Sequence, residues 1–253
     1  MGSSRLPGKV MRPLAGYPML AFQLDRLRRA RLARQVLVAT STHSRDDVIA
    51  DLCAGLDVPV FRGDEDDVLA RYAQAVQWLS LSPDDVVVRV TADCPLIDPA
   101  LIDALLVFFQ KNSLDYAALQ GFPRGLDAEA FTVAALLTAH QQARLPHHRE
   151  HVTPFLYAPG APFRRAAYPC PHPELWQQER WTVDTEEDYQ LVATVATALL
   201  AQDAYFGWPQ VLAYLNQHPQ LRHLNGHIQQ KALPGEANAH SGNDLTPGQT
   251  HTS

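Results

Sequence analysis

A chain of 253 residues with 46% hydrophobic and 19% charged residues has the composition of a folded protein able to bury a sizeable core. Its formal net charge of −6 argues against nucleic-acid binding through a broad basic surface, and three scattered cysteines (Cys53, Cys94, Cys170) form no disulfide framework or C-x-x-C pair. The apolar run at 103–109 is too short to span a membrane and no signal peptide is visible, so a cytoplasmic enzyme is expected.

The chain opens on a loop rich in special residues. Gly2, Ser3, Ser4, Arg5, Pro7, Gly8 and Lys9 fall within nine positions, directly before an amphipathic segment. Such a loop turns tightly, gathers backbone N–H groups and adds two cations, which suits a polyphosphate. It is not a P-loop. Five residues separate Gly2 from Gly8, and Val10 stands where a magnesium-binding hydroxyl should follow the lysine. The competing interpretation is a flexible arm that happens to be basic.

Residues 18–32 carry Leu20, Leu24 and Leu27 at helical spacing, with Arg26, Arg28 and Arg29 expected to face away. The continuous apolar run at 35–40 reads as a buried parallel strand. A capping-box-like start at 44–47 leads into a helix through Val48, Ile49 and Leu52. A second strand at 58–62 contains Pro59, which points to a sheet edge. Val68, Tyr72, Val76 and Leu79 mark the next helix, and 85–91 the third strand. Asp98-Pro99 supplies an N-cap and an N1 proline for another helix.

This alternation indicates an α/β fold with a mostly parallel, Rossmann-like sheet. After residue 113 the rhythm changes to short strand-like pieces, so about 114–178 is read as a small mixed α+β insertion that covers the sheet. A last core strand is expected at 181–184, followed by a helix capped at 185–188. The domain should span 1–232, with 233–253 a disordered tail poor in apolar residues.

In open α/β sheets, ligands sit beyond the carboxyl ends of the strands. Asp93 and Asp184 fall at two such ends. Together they could hold Mg²⁺, which would bridge phosphates over the Arg5/Lys9 loop. The plain alternatives are a turn residue for Asp93 and a helix cap for Asp184; capping fully explains Asp98.

Gly2-Ser-Ser-Arg-Leu-Pro-Gly-Lys-Val10 and the 13–20 stretch resemble the opening loop of the acylneuraminate/KDO cytidylyltransferase family, in its spore-coat polysaccharide branch. The resemblance continues through residues 63–72, 91–99, 125–129, 149–153 and 182–189, and covers about 1–230. It implies a nucleotide-diphospho-sugar transferase (GT-A-like) fold and CMP transfer from CTP to an acidic or amino sugar, releasing pyrophosphate. It also implies that Gly2, Ser3, Ser4, Arg5, Gly8 and Lys9 hold the nucleotide, with Lys9, Arg5 and Asp93 catalytic and Asp93 and Asp184 on Mg²⁺. Asp127, Glu129, Arg149 and His151 map to the acceptor side; loop solvation and a helix-surface ion pair are their plain alternatives. The partners expected are CTP and a small sugar, with neither nucleic acid nor membrane, and the expected assembly is a homodimer.

The family opens with a hydrophobic strand before the Gly-Ser-Ser loop, whereas this sequence starts at the loop itself. The resemblance therefore implies a sheet lacking a central strand beside 35–40. A non-catalytic nucleotide- or sugar-binding remnant is one alternative, and a uridylyl-, guanylyl- or glycosyltransferase of similar fold another. His147-His-Arg-Glu-His151 matches an inverted zinc-protease pattern, but Pro146 precedes it and no third ligand is evident; exposed histidines are the better interpretation. Cys94 reads as a small buried filler, and Trp176, Trp181 and Trp208 as packing residues.

Overall fold

Short β-branched runs and helices with one apolar stripe build alternating strands and helices, as the pattern requires. The computed structural model describes residues 1–3, 5–172, 174–175 and 179–229. Ser4, Trp176 and the expected tail at 233–253 lie outside the described residues.

A 3₁₀ turn (Lys9–Met11) follows the opening loop, then a small antiparallel hairpin of β1 (Pro13–Leu14) and β2 (Tyr17–Pro18). Next come α1 (Met19–Leu27), β3 (Val38–Ser41), α2 (Asp47–Gly55), β4 (Val60–Gly63), α3 (Val68–Trp78), β5 (Val86–Arg89) and α4 (Pro99–Lys111). Then follow β6 (Tyr116–Gln120), β7 (Glu129–Thr132), α5 (Val133–Gln142), α6 (Pro146–His151), α7 (Pro154–Tyr157) and β8 (Arg165–Pro169). The described helices near the end are α8 (Glu186–Leu200) and α9 (Trp208–Gln217).

β3 and β4 form a parallel pair, in register from Val38↔Val60 to Ser41↔Gly63. The second sheet has the order β5-β7-β6-β8. β7 is antiparallel to both β5 and β6, and β8 is parallel to β6, so three of the four strands share a direction and β7 opposes them. Among the described residues β3 pairs only with β4, and β5 only with β7. Val86, Val87 and Val88 are consequently only half-buried, although an all-valine run has the composition of a fully buried strand.

Three expectations need correction. The 114–178 segment is mixed α+β, but it does not cover the sheet: β6, β7 and β8 are three of the sheet's four strands. Its alternation and Pro/Gly loops look insertional because antiparallel strands need shorter connections than parallel ones. The 181–184 segment is extended without joining a ladder. Its amides go to loops instead, Trp181 N–H to Arg124 O (2.6 Å) and Val183 N–H to Asp93 O (2.8 Å). Finally, Arg26 does not face solvent. It shares the buried stripe of α1 with Met19, Phe22 and Gln23, is 2% exposed, and donates from Nε to Ile97 O at 2.9 Å. Its guanidinium lies 4.3 Å from the centre of the Phe206 ring. Burial pulls its pKa down to about 10.

The caps divide similarly. Asp98 caps α4 through Ala100 N–H, and Thr185 with Asp188 forms a full capping box on α8. At 44–47, by contrast, the first turn is 3₁₀, and the Asp46 side chain turns inward to accept from Thr40 Oγ1, Ser41 N–H and Ser41 Oγ.

Candidate active site

The loop's cations reach inward. Gly8 has φ 70°, the left-handed region that glycine occupies at little cost, and this bend starts the 3₁₀ turn carrying Lys9. The loop's amides behave differently from the expected cradle. Leu6 N–H donates to Ser3 Oγ, Gly8 N–H to Met1 O and Lys9 N–H to Leu6 O. These three amides are committed inside the loop, so its charge reaches the cleft through Arg5 and Lys9. Gly2 sits against the Arg45–Glu65 ion pair, where an added Cβ would lie 3.0 Å from the Arg45 guanidinium.

Three segments far apart in sequence lie side by side at the end of the sheet. Asp93 O accepts from Val183 N–H and from Thr182 Oγ1 (3.1 Å), and Arg124 O accepts from Trp181 N–H. Gly125, at φ 106°, passes so close to 181–182 that an added Cβ would stand 2.5 Å from Trp181 C. This clamp brings Asp93 and Asp184 to one point, and Lys9 occupies it. The ammonium donates to Asp93 Oδ2 (3.1 Å), Asp184 Oδ1 (3.0 Å) and Val183 O (2.7 Å).

Arg5 and Arg180 hold the other oxygen of Asp184 at 3.0 and 2.9 Å. Arg180 is itself fixed by the fully buried Asp188, which also accepts from Asn225 Nδ2 and from the amides of Asp184 and Thr185. Burial pushes the Asp184 carboxyl upward, but Lys9, Arg5 and Arg180 outweigh it and leave the pKa below the ordinary value. For Lys9, burial acts downward and is outweighed by Asp93 and Asp184, so its pKa is raised.

The remaining sequence-derived candidates separate. Asp127 receives Gly125 N–H at 2.9 Å and faces Arg124. Burial pushes its carboxyl pKa up, helped by the nearby charges of Asp93 and Glu129. It nevertheless keeps 44% of its side chain open. Glu129 is neither a loop residue nor solvated. It is paired across the β5–β7 ladder with Arg89 (2.7 Å) and receives the Tyr116 hydroxyl (2.7 Å). Arg149 binds Asp67 and His140 O, tying α6 to the cap of α3. His151 Nε2 lies 3.9 Å from Glu150 Oε2. The structure therefore joins Arg5, Lys9, Asp93 and Asp184, with Asp127 facing Asp93, and puts Arg149 on a separate helix contact.

Sequence reasoning missed Arg180 and Asp188. The signal was present in the helical spacing of 180, 184 and 188, but Asp188 also completes a capping box, which accounted for it. Among the described residues no group of three or more His, Cys, Asp or Glu side chains could hold a metal, so the 147–151 zinc pattern is not realised. Cys94 is a buried filler whose thiol pKa burial raises well above its ordinary value, and Trp181 is a packed core residue. For Mg²⁺ the donor set is chemically suitable: two carboxylate oxygens and the Val183 carbonyl converge on one point.

Comparison with known proteins decides the family. The cytidylyltransferase family model matches residues 1–230. The chain belongs to the cytidylyltransferase family. It is 34% identical over 235 residues to an uncharacterized protein of Methanocaldococcus jannaschii, covering 91% of this chain and 93% of that one. It is 32% identical over 197 residues to the spore coat polysaccharide biosynthesis protein SpsF of Bacillus subtilis, covering 76% and 81%. A solved cytidylyltransferase from Leptospira borgpetersenii superimposes with a TM-score of 0.81 at 30% identity, over 91% of this chain and 95% of that one. The cytidylyltransferase has the nucleotide-diphospho-sugar transferase fold, and no described helix is long and apolar enough to cross a membrane.

Proposed function

We propose that this cytidylyltransferase moves CMP from CTP to a hydroxyl of an acidic or amino sugar, in the cytoplasm, in the synthesis of a surface polysaccharide. The observation that carries the proposal is the convergence of Lys9, Arg5, Asp93 and Asp184 at the end of the sheet. The sugar hydroxyl attacks the α-phosphorus, the bond to the bridging oxygen breaks, and pyrophosphate leaves with the electron pair. Lys9 and Arg5 neutralise charge on the triphosphate through charge-assisted hydrogen bonds. Mg²⁺ held by Asp93 and Asp184 would supply further charge neutralisation when bound. Asp127, with its raised pKa and open position, takes the hydroxyl proton. A polysaccharide role is supported by the name of the B. subtilis relative.

The test is pyrophosphate release with CTP, UTP, GTP and ATP, each against a panel of sugar acids and amino sugars with Mg²⁺ present. Release with CTP alone and one acceptor class is expected. A preference for UTP or GTP would replace the nucleotide assignment, and binding without release would favour a non-catalytic role. Light scattering on the same preparation tests the expected homodimer.

A further inference from the structure

An ammonium has three N–H groups, and Lys9 gives all three to Asp93, Val183 O and Asp184. It is saturated where it sits. Neither carboxylate is free to turn away from it. Asp93 Oδ1 is held by the Thr91 hydroxyl at 2.5 Å, and Asp184 Oδ2 by Arg5 and Arg180. The unheld faces of both acids therefore share one cation position, and the Lys9 side chain, only 12% exposed, fills it. A cation bound between Asp93 Oδ2 and Asp184 Oδ1 takes the position that Lys9 holds, and a displaced ammonium needs another anion. Three neighbouring acids already have partners: Arg12 holds Glu186, Arg180 with Asn225 holds Asp188, and Asp127 accepts from Arg124 and from Gly125 N–H.

We propose that Lys9 makes metal binding by the Asp93–Asp184 pair conditional on a polyphosphate in the cleft. This rests on the nucleotide and metal roles proposed above. Without polyphosphate the ammonium holds the position between the two acids and keeps them together against their mutual repulsion. A triphosphate offers Lys9 stronger acceptors, its flexible stem carries the ammonium to them, and the two acids are released together. Binding linkage is reciprocal, so whatever Lys9 contributes to the metal's dependence on triphosphate it contributes equally to the triphosphate's dependence on the metal.

The experiment measures free Mn²⁺ by electron paramagnetic resonance in titrations of the full chain without nucleotide. The wild type should bind weakly. Lys9→Met, which keeps the stem and removes the charge, should bind about 10-fold tighter or more, within the usual range of coupling between sites. Lys9→Arg should stay as weak as the wild type. Circular dichroism checks that each variant is folded.

A second measurement needs no variant. The sequence has three lysines, Lys9, Lys111 and Lys231, and Lys111 is exposed. Under reductive methylation, Lys9 should be protected relative to Lys111 and become reactive as high Mn²⁺ fills the site, with the same midpoint as the resonance signal. Equal Mn²⁺ affinity in wild type and Lys9→Met, or Lys9 protected while Mn²⁺ binds, overturns the conditional role and leaves the metal site standing. Mn²⁺ binding that is absent from every variant, with CTP included, or untouched by Asp184→Asn, overturns the metal site and the conditional role together.

Discussion

Two of the clusters in which an acid and a base meet away from bulk water among the described residues are built on different principles. Arg89, Glu129 and Tyr116 stand on three strands of one sheet, with Arg89 directly opposite Glu129 in the ladder. Backbone hydrogen bonds fix their relative positions, and the pair can do little except hold. Arg5 and Lys9 share one segment, Lys9 lies 84 residues from Asp93 and 175 from Asp184, and the three segments are joined by a few amide contacts and by their own charges. Removing a charge from the first cluster threatens the sheet; removing one from the second threatens what the cleft can bind. A shifted pKa alone does not separate these cases, since Arg89 and Lys9 are both raised by acids against the opposing effect of burial. What separates them is whether the ladder or the charges themselves set the geometry.

The sharpest break between the clusters should come from Asp93→Asn and Asp184→Asn. Each is expected to slow CTP turnover by about 10²–10³-fold, and the double variant to be little worse than either single, because the two acids act as a unit. Folded single variants with full turnover would remove the site. Lys9→Ala should cost about 10²-fold, with weaker CTP binding measured by calorimetry.

On the ladder side, Glu129→Gln should leave Arg89 largely buried without a full counter-charge and cost about 3–5 kcal/mol of stability in urea unfolding. CTP affinity of the molecules that remain folded should be unchanged. A variant of wild-type stability but poor acceptor KM would move Glu129 to the substrate side.

Gly125→Ala tests the clamp shared by the loops. A side chain at φ 106° and 2.5 Å from Trp181 C forces the 181–184 segment aside. The expected cost is about 1–3 kcal/mol of backbone strain, together with a loss of turnover that Glu129→Gln should not show.

The smallest expected effects are on stability against pH, and they have opposite signs at Asp184 and Asp127. The folded pKa of Asp184 is depressed, so its contribution to stability is present above the unfolded value near 4 and is lost as pH falls through the folded pKa. Asp127 is raised, so its ionised form costs stability above its folded pKa, and that cost fades as pH falls through the folded pKa and is gone below about 4. Asp127→Asn should therefore melt higher than the wild type at pH 7, with the gap closing in acid, while turnover drops. A variant that melts lower at pH 7 would return Asp127 to a purely structural role.

The sequence by itself determined the alternation of strands and helices, the caps at Asp98 and Thr185 and the glycine bend before Lys9, and it singled out Arg5, Lys9, Asp93 and Asp184, though not Arg180 or Asp188. All of these are local: a period, a cap or a left-handed glycine depends on neighbours within a few residues. Tertiary structure alone decided where the 116–132 strands go, because register and partner depend on distant residues. It decided that Arg26 is buried, because only the arrival of Ile97 O and Phe206 makes that position tolerable for a guanidinium. It also decided that Glu129 belongs to the ladder while Asp127, two residues earlier, does not: β7 begins at Glu129, opposite Arg89, whereas Asp127 lies in the loop before it and accepts from Gly125 N–H. The meeting of Lys9 with Asp93 and Asp184 has the same cause. Each acid ends its own segment, and nothing in either segment encodes the other; the contacts between 93, 124 and 181–183 bring them within reach of one ammonium.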